Sequence, residues 1–197
     1  DQQITKITDP IGRTQSYEYD SIGRLKKEIA FDGQTVGYTY DTLGMLTEKT
    51  YKDASKEKYH YDAAKQLTKI TFRDDTTEEY TYHPGGQIAT VKNAVGHVTE
   101  YTYDATGNVT KVKDPAGGET NYSYNAIGWV TSITNPLNEK TSFEHDALGR
   151  MTKVKGPKET VQQYKYDELN RLIEIIDSMD RLHKWSYNIE ENTTTYT

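Results

Sequence analysis

The chain has 197 residues, of which only 34% are apolar, and its 30 acidic and 24 basic side chains leave a net charge of −6. So little aliphatic material excludes a thick globular core and would ordinarily mark a disordered chain, but 17 tyrosines supply large buriable rings and the opposite charges are interspersed. No basic run, no long apolar stretch and no cysteine is present, which argues against a nucleic-acid surface, a membrane-spanning segment, disulfides and thiolate metal sites.

In chain order, the first elements are short. Aliphatic Ile4 and Ile7 precede the turn signal Asp9-Pro10-Ile11-Gly12. Next comes Tyr17-Glu18-Tyr19, followed at once by a second turn signal, Asp20-Ser21-Ile22-Gly23. Leu25 then opens another aliphatic stretch. The whole pattern returns 21 residues later as Tyr38, Tyr40, Asp41, Gly44 and Leu46. It returns as Tyr59, Tyr61, Asp62 and Leu67, with Lys65 in the glycine position. Tyr80 and Tyr82 follow, with His83 in the aspartate position and Gly86 in phase. Tyr101, Tyr103, Asp104 and Gly107 restore the full motif. Tyr122, Tyr124, Asn125 and Gly128 come next, then Phe143, His145, Asp146 and Gly149. Tyr164, Tyr166, Asp167 and Asn170 precede the last unit, which runs Trp185, Tyr187, Asn188 and Glu191. The first aromatic position thus recurs without insertion or deletion, and 15 of the 17 tyrosines occupy the two aromatic positions. Residues 1–197 read as a single array of about nine units.

A 21-residue period equals three heptads, so a helical coil is the first alternative. It is rejected because the unit is rich in Tyr, Thr, Val and Ile and carries two turn signals about ten residues apart. Asp-x-x-Gly offers a carboxylate to the following amides and a glycine for positive φ. Asp-Pro-x-Gly, as in Asp114-Pro115-Ala116-Gly117, has the type I pattern. Asn135-Pro136-Leu137-Asn138 and Gly156-Pro157-Lys158-Glu159 are degenerate forms of it. Asn170 suits the glycine position, whereas Lys65 and Glu191 suit it poorly. The fold expected is all-β: tandem β-hairpins forming a long, twisted, spiralling antiparallel sheet. Alternation places Thr99, Tyr101 and Tyr103 on one face. The two aliphatic positions, such as Val109 and Val112, are three apart. Either a bulge brings them to one face, or both faces are partly covered.

These residues resemble the YD repeats, also called Rhs repeats. Tyr38-Thr39-Tyr40-Asp41 and Asp146-Ala147-Leu148-Gly149-Arg150 lie near that family's consensus, and the resemblance spans essentially the whole chain. The family includes bacterial Rhs and wall-associated toxins, the BC components of Tc toxins, and teneurins. The resemblance implies a β-strip that spirals into a hollow shell around a C-terminal toxic domain. It implies no cofactor and no catalysis by the repeats. As partners it implies a C-terminal toxin or cargo domain and further repeats of a parent protein, with an extracellular, cell-surface or cell-wall location. The chain opens on Asp1 and starts and stops mid-unit, as a section of wall would, and its open terminal strands are expected to favour end-to-end association. The family's self-cleaving closing segment has no counterpart here, since each Asp-Pro-x-Gly falls in phase as a turn.

Other chemistry can be weighed on the same residues. Tyrosine beside aspartate suits carbohydrate, so a glycan-binding adhesion module is the alternative function. A packing ladder explains the same residues without a ligand. The five histidines, His60, His83, His97, His145 and His183, form no metal-ligand spacing. The aspartates are equivalent turn residues, whereas a catalytic pair needs two different environments. Asn108-Val109-Thr110, Asn121-Tyr122-Ser123 and Asn192-Thr193-Thr194 match the glycosylation sequon, as a Thr-rich repeat will. Asp74-Asp75 and Glu190-Glu191 read as solvated turns.

Overall fold

The computed structural model describes residues 3–188 and 193–197. Glu190-Glu191 and Asn192, singled out above, lie outside the described residues. The chain divides into two units, residues 1–99 and 100–197, each taken by itself below.

Both units are antiparallel meanders built from two kinds of strand. The aromatic strands are β2 (Thr14–Tyr19), β4 (Thr35–Tyr40), β6 (Lys56–Tyr61) and β8 (Thr77–Tyr82) in the first unit. Between and beyond them run the aliphatic strands β1 (Lys6–Thr8), β3 (Leu25–Ile29), β5 (Leu46–Tyr51), β7 (Leu67–Thr71) and β9 (Ile88–Lys92). β10 (Val98–Tyr103) is aromatic and crosses the boundary. The second unit continues with aromatic β12 (Glu119–Tyr124), β14 (Lys140–His145), β16 (Val161–Tyr166) and β18 (Leu182–Asn188). Its aliphatic strands are β11 (Val109–Lys113), β13 (Val130–Thr134), β15 (Met151–Lys155) and β17 (Leu172–Ile176), and β19 (Thr193–Tyr196) is the last strand.

The spacing puzzle of the aliphatic positions is resolved by a bulge. In the β10–β11 hairpin, Tyr101 pairs with Val112 but Tyr103 pairs with Val109, so the register slips by one residue at Thr110. The slip places Val109, Val112, Tyr101 and Tyr103 on the same face. The identical slip occurs in the β2–β3, β4–β5, β6–β7, β8–β9, β12–β13, β14–β15 and β16–β17 hairpins. The extra residue is commonly threonine, and its hydroxyl donates to a partner-strand carbonyl: Thr47 to Thr39 O, Thr68 to His60 O and Thr110 to Thr102 O, each at 3.2 Å. The opposite face then carries cross-strand ion pairs, such as Lys113–Glu100 and Lys111–Glu119, both at 3.1 Å. Exposed pairs of this kind contribute only ~0.2–1 kcal/mol each.

Among the described residues no hydrophobic side chain is fully buried; Ser132, at 6% exposure, is the one buried residue. Each unit is therefore a sheet whose tyrosine face is only partly shielded, by its own rings and the aliphatic side chains beside them. Stability has to come from contacts that repeat along the strip rather than from a core.

Candidate functional site: the repeated turn and its tyrosine

The aspartate turns are built the same way at both edges. Asp20 N donates to Arg24 O at 2.8 Å, and Gly23 N donates back to Asp20 O at 3.0 Å. The Asp20 carboxylate accepts from Ile22 N at 3.0 Å and Arg24 N at 2.9 Å. This is a three-residue hairpin loop with a left-handed third residue. Asp41, Asp62, Asp104, Asp146 and Asp167 close their turns in the same pattern. The Asp-Pro-x-Gly turns share this geometry. Asp9 O accepts from Gly12 N at 3.0 Å, and the Asp9 carboxylate accepts from Ile11 N and Arg13 N. Proline changes the entry to the turn but not its closure.

Gly107 stands at φ +91°, where a side chain is strained. Lys65, expected to suit this position poorly, takes it at φ +64°, and its amide still donates to Asp62 O at 3.0 Å. The flanking ladder imposes the turn over the residue's preference. Gly156-Pro157-Lys158-Glu159 departs from the type I form expected: Lys158 and Glu159 both have positive φ, at +61° and +62°. Neither an aspartate nor a glycine is available there at the usual positions. The loop is closed by Gly156 N to Thr160 O at 2.8 Å.

In seven of the motifs the second tyrosine ties its unit to the one before. Tyr19, Tyr40, Tyr61, Tyr82, Tyr124, Tyr166 and Tyr187 donate their hydroxyls to the carbonyls of Ile4, Leu25, Leu46, Leu67, Val109, Met151 and Leu172. The distances run from 2.6 Å at Tyr82 to 2.9 Å at Tyr19 and Tyr166. The accepting carbonyl belongs to the first aliphatic position, just beyond the stretch where successive units pair. Between β3 and β4, for example, the ladder runs Lys27↔Gly37 to Ile29↔Thr35. The ring fills the space where the strands part, and its hydroxyl satisfies a carbonyl the ladder does not use.

The first tyrosine faces the same side but bonds otherwise. Tyr38 donates to Glu28 at 3.2 Å, Tyr59 to Glu57 at 2.9 Å, and Tyr80 to Glu78 at 2.5 Å. Burial, then the neighbouring carboxylate, pushes all three phenols up to about 12. Tyr164 donates to Gln162. Tyr17, Tyr101, Tyr103 and Tyr122 lie on the same face of their strands by register.

The arginine that follows the turn glycine has a role its position in the motif does not announce. Arg24 Nε holds Asp20 Oδ2 at 2.7 Å, and its guanidinium lies 4.7 Å from the Tyr40 ring centroid. Arg150 does the same with Asp146 and with Tyr166 at 4.9 Å, and donates to Asp167 O at 3.1 Å. Arg171 holds Asp167 and lies 4.4 Å from the Tyr187 ring. One side chain thus braces its own turn, the next tyrosine and the next turn. Gln66, neutral at this position, still reaches forward: its Nε2 donates to Gly86 O at 3.2 Å. The signal was in phase in the sequence, because this position is filled by long side chains in most units.

The electrostatics are those of acceptors. The side-chain amide of Asn108 and the hydroxyl of Thr106 hold Asp104 down at about 2, and Ser55 with Arg73 does so for Asp53. His145 packs against Trp129 at 5.6 Å between ring centroids, and His183 meets Tyr196 Oη and Asp177. Among the described residues no group of three His, Asp or Glu side chains could hold a metal. Among them, too, no helix is long and apolar enough to cross a membrane. Of the sequon asparagines, Asn108 is bonded within its turn and Asn121 is exposed on the charged face of β12.

The family model described as Teneurin YD-shell matches residues 2–197. Solved structures share the fold. The crystal structure of TcdB2-TccC3 without its hypervariable C-terminal region aligns at TM-score 0.73 and 17% identity, over 93% of this chain and 12% of that one. The TcdB2-TccC3 crystal structure aligns at TM-score 0.71 and 17% identity, over 94% and 13%. A Photorhabdus luminescens Tc holotoxin pore with a substitution in TccC3 aligns at 0.63 and 15% identity, over 90% and 13%. The chain therefore spans about an eighth of the length of the structures it matches. No curated protein sequence matches it.

Proposed function

The chain belongs to the Teneurin YD-shell family, and from that membership we propose that it is a length of structural wall in the shell of a larger secreted or cell-surface protein of bacterial origin. The wall would enclose a C-terminal toxin or other cargo domain, with further repeats completing it. The observation that carries this reading is the tyrosine tie, which joins seven of the units to their predecessors through the same two atoms, in phase with the 21-residue period. Such a design extends a sheet by repetition and singles out no unit as a reaction centre. Most of the second-position hydroxyls and several of the first are engaged within the chain, which leaves the rings a packing role.

Containment is tested in the parent protein by limited proteolysis. The cargo segment should resist cleavage while the shell is intact, and lose that resistance when Tyr61→Phe and Tyr82→Phe are combined with Tyr40→Phe. Cleavage of the cargo at the rate of the isolated cargo domain, with the shell intact, would refute the reading.

A further inference from the structure

One turn in the second unit lacks the arginine brace that the Asp146 and Asp167 turns possess. At this position in the Asp146 and Asp167 turns, an arginine guanidinium meets up to three partners. They are the aspartate of its own turn at 2.7 Å, the next tyrosine ring at 4.4–4.9 Å, and, for Arg150, the next turn's carbonyl at 3.1 Å. After Gly107 the residue is Asn108. Its amide donates to Asp104 Oδ2 at 3.0 Å and to Thr106 Oγ1 at 2.8 Å, and reaches no further. Between this turn and the next lies an open cleft of about 570 Å³, lined by Asp104, Thr106, Asn108, Tyr124, Asn125 and Gly128.

We propose that this cleft binds a guanidinium group, presented as the arginine side chain of a partner polypeptide. The carboxylate, the ring and the turn carbonyl that meet Arg150 all have counterparts here; the Asn170 Oδ1 that Arg150 also reaches at 2.9 Å does not, because Gly128 stands in its place. Asp104 supplies the carboxylate at the position that Asp146 and Asp167 occupy in theirs. The Tyr124 ring is already fixed, since its hydroxyl donates to Val109 O at 2.8 Å. Asn125 O closes its own turn with Gly128 N, as Asp167 O does with Asn170 N while also accepting from Arg150. Asn108 Oδ1 stands 3.8 Å from where a Cβ on Gly128 would lie, and so faces the cleft as a further acceptor. The chain thus displays its own ligand in three other places.

The neighbouring turn is closed by other means. Trp129 reaches over Gly149, with its ring 2.7 Å from where a Cβ there would lie. Arginine suits the cleft better than lysine, because a planar fork can bond Asp104 and Asn108 while stacking on Tyr124. The contacts are solvent-exposed, so a free cation would bind with a Kd on the order of millimolar. Such a contact matters when the arginine is carried by a chain already held nearby, where effective concentration offsets weak affinity. Recognition of this kind does not depend on containment.

The test titrates the isotopically labelled chain with capped Gly-Gly-Arg-Gly-Gly, the lysine analogue, and guanidinium chloride, following backbone amide shifts by NMR. Saturable shifts at Thr106, Asn108 and Gly128 are expected with the arginine peptide, and binding of the lysine peptide should be at least ~5-fold weaker. Asn108→Arg should close the cleft from within, abolish those shifts and raise the thermal midpoint. Asn108→Gln, which copies the reach of Gln66, should weaken binding without altering the turn. Absence of saturable shifts at these amides, or shifts undiminished in Asn108→Arg, would overturn the proposal. Equal affinity for guanidinium chloride and the peptide would overturn its polypeptide part.

Discussion

Tyr61 shows what one side chain contributes. Its ring covers the gap between β5 and β6, and its hydroxyl donates to Leu46 O at 2.8 Å. Tyr61→Phe keeps the ring and leaves the carbonyl without that donor, so a loss of ~0.5–1.5 kcal/mol is expected in urea unfolding. A loss below the error of the measurement would show that solvent replaces the bond. Acid and alkali act on different residues. Asp53 and Asp104 sit at about 2, against an ordinary value of 3.8. Depressed carboxyl values stabilise the fold above the ordinary value, and that contribution disappears as pH falls through about 4 toward 2. Tyr38, Tyr59 and Tyr80 lie at about 12 against 10.0. Values raised in this way favour the fold fully below about pH 10 and cease to do so between about 10 and 12. Circular dichroism with tyrosinate absorbance should therefore show cooperative alkaline unfolding above about pH 10. Titration of all tyrosines near their ordinary value without loss of the β spectrum would contradict it.

At the scale of the hairpin, conformational strain is measurable at single positions. Lys65→Gly should stabilise by ~0.5–1 kcal/mol, because the left-handed conformation is already imposed on Lys65 at φ +64°. Gly107→Ala, at φ +91°, should cost ~1 kcal/mol. Opposite signs in denaturant midpoints are the expected outcome, and equal shifts in the same direction would mean the turn geometry relaxes on substitution. Much of the hairpin was legible in the sequence. The aspartate-to-glycine spacing gave the turn, and the tyrosine alternation gave the face. The bulge was not decidable, because two aliphatic residues three apart fit either a slipped register or a sheet covered on both sides. Only the pairing of Tyr103 with Val109 chooses between them. The Asp-Pro-x-Gly turn looked distinct because proline alters the local pattern, yet closure depends on the backbone and the aspartate alone. The arginine brace was hidden for another reason: its partners lie 16 to 20 residues away, on the next unit, where no local motif reports them.

At the scale of the molecule, each unit has two unlike faces. On β12 the tyrosine face carries Thr120, Tyr122 and Tyr124, and the opposite face carries Asn121 and Ser123. In a wall, one face meets the enclosed space and the other meets the outside. The chain contains no cysteine, so a single thiol placed in it is the only one this stretch contributes. The most direct measurement labels Thr120→Cys and Ser123→Cys, each in the parent protein, with a bulky polymer maleimide. If this stretch is wall, one position should label readily and the other should stay shielded until the shell is opened, while both label in the isolated chain. Equal and rapid labelling of both positions in the intact parent protein would contradict the account.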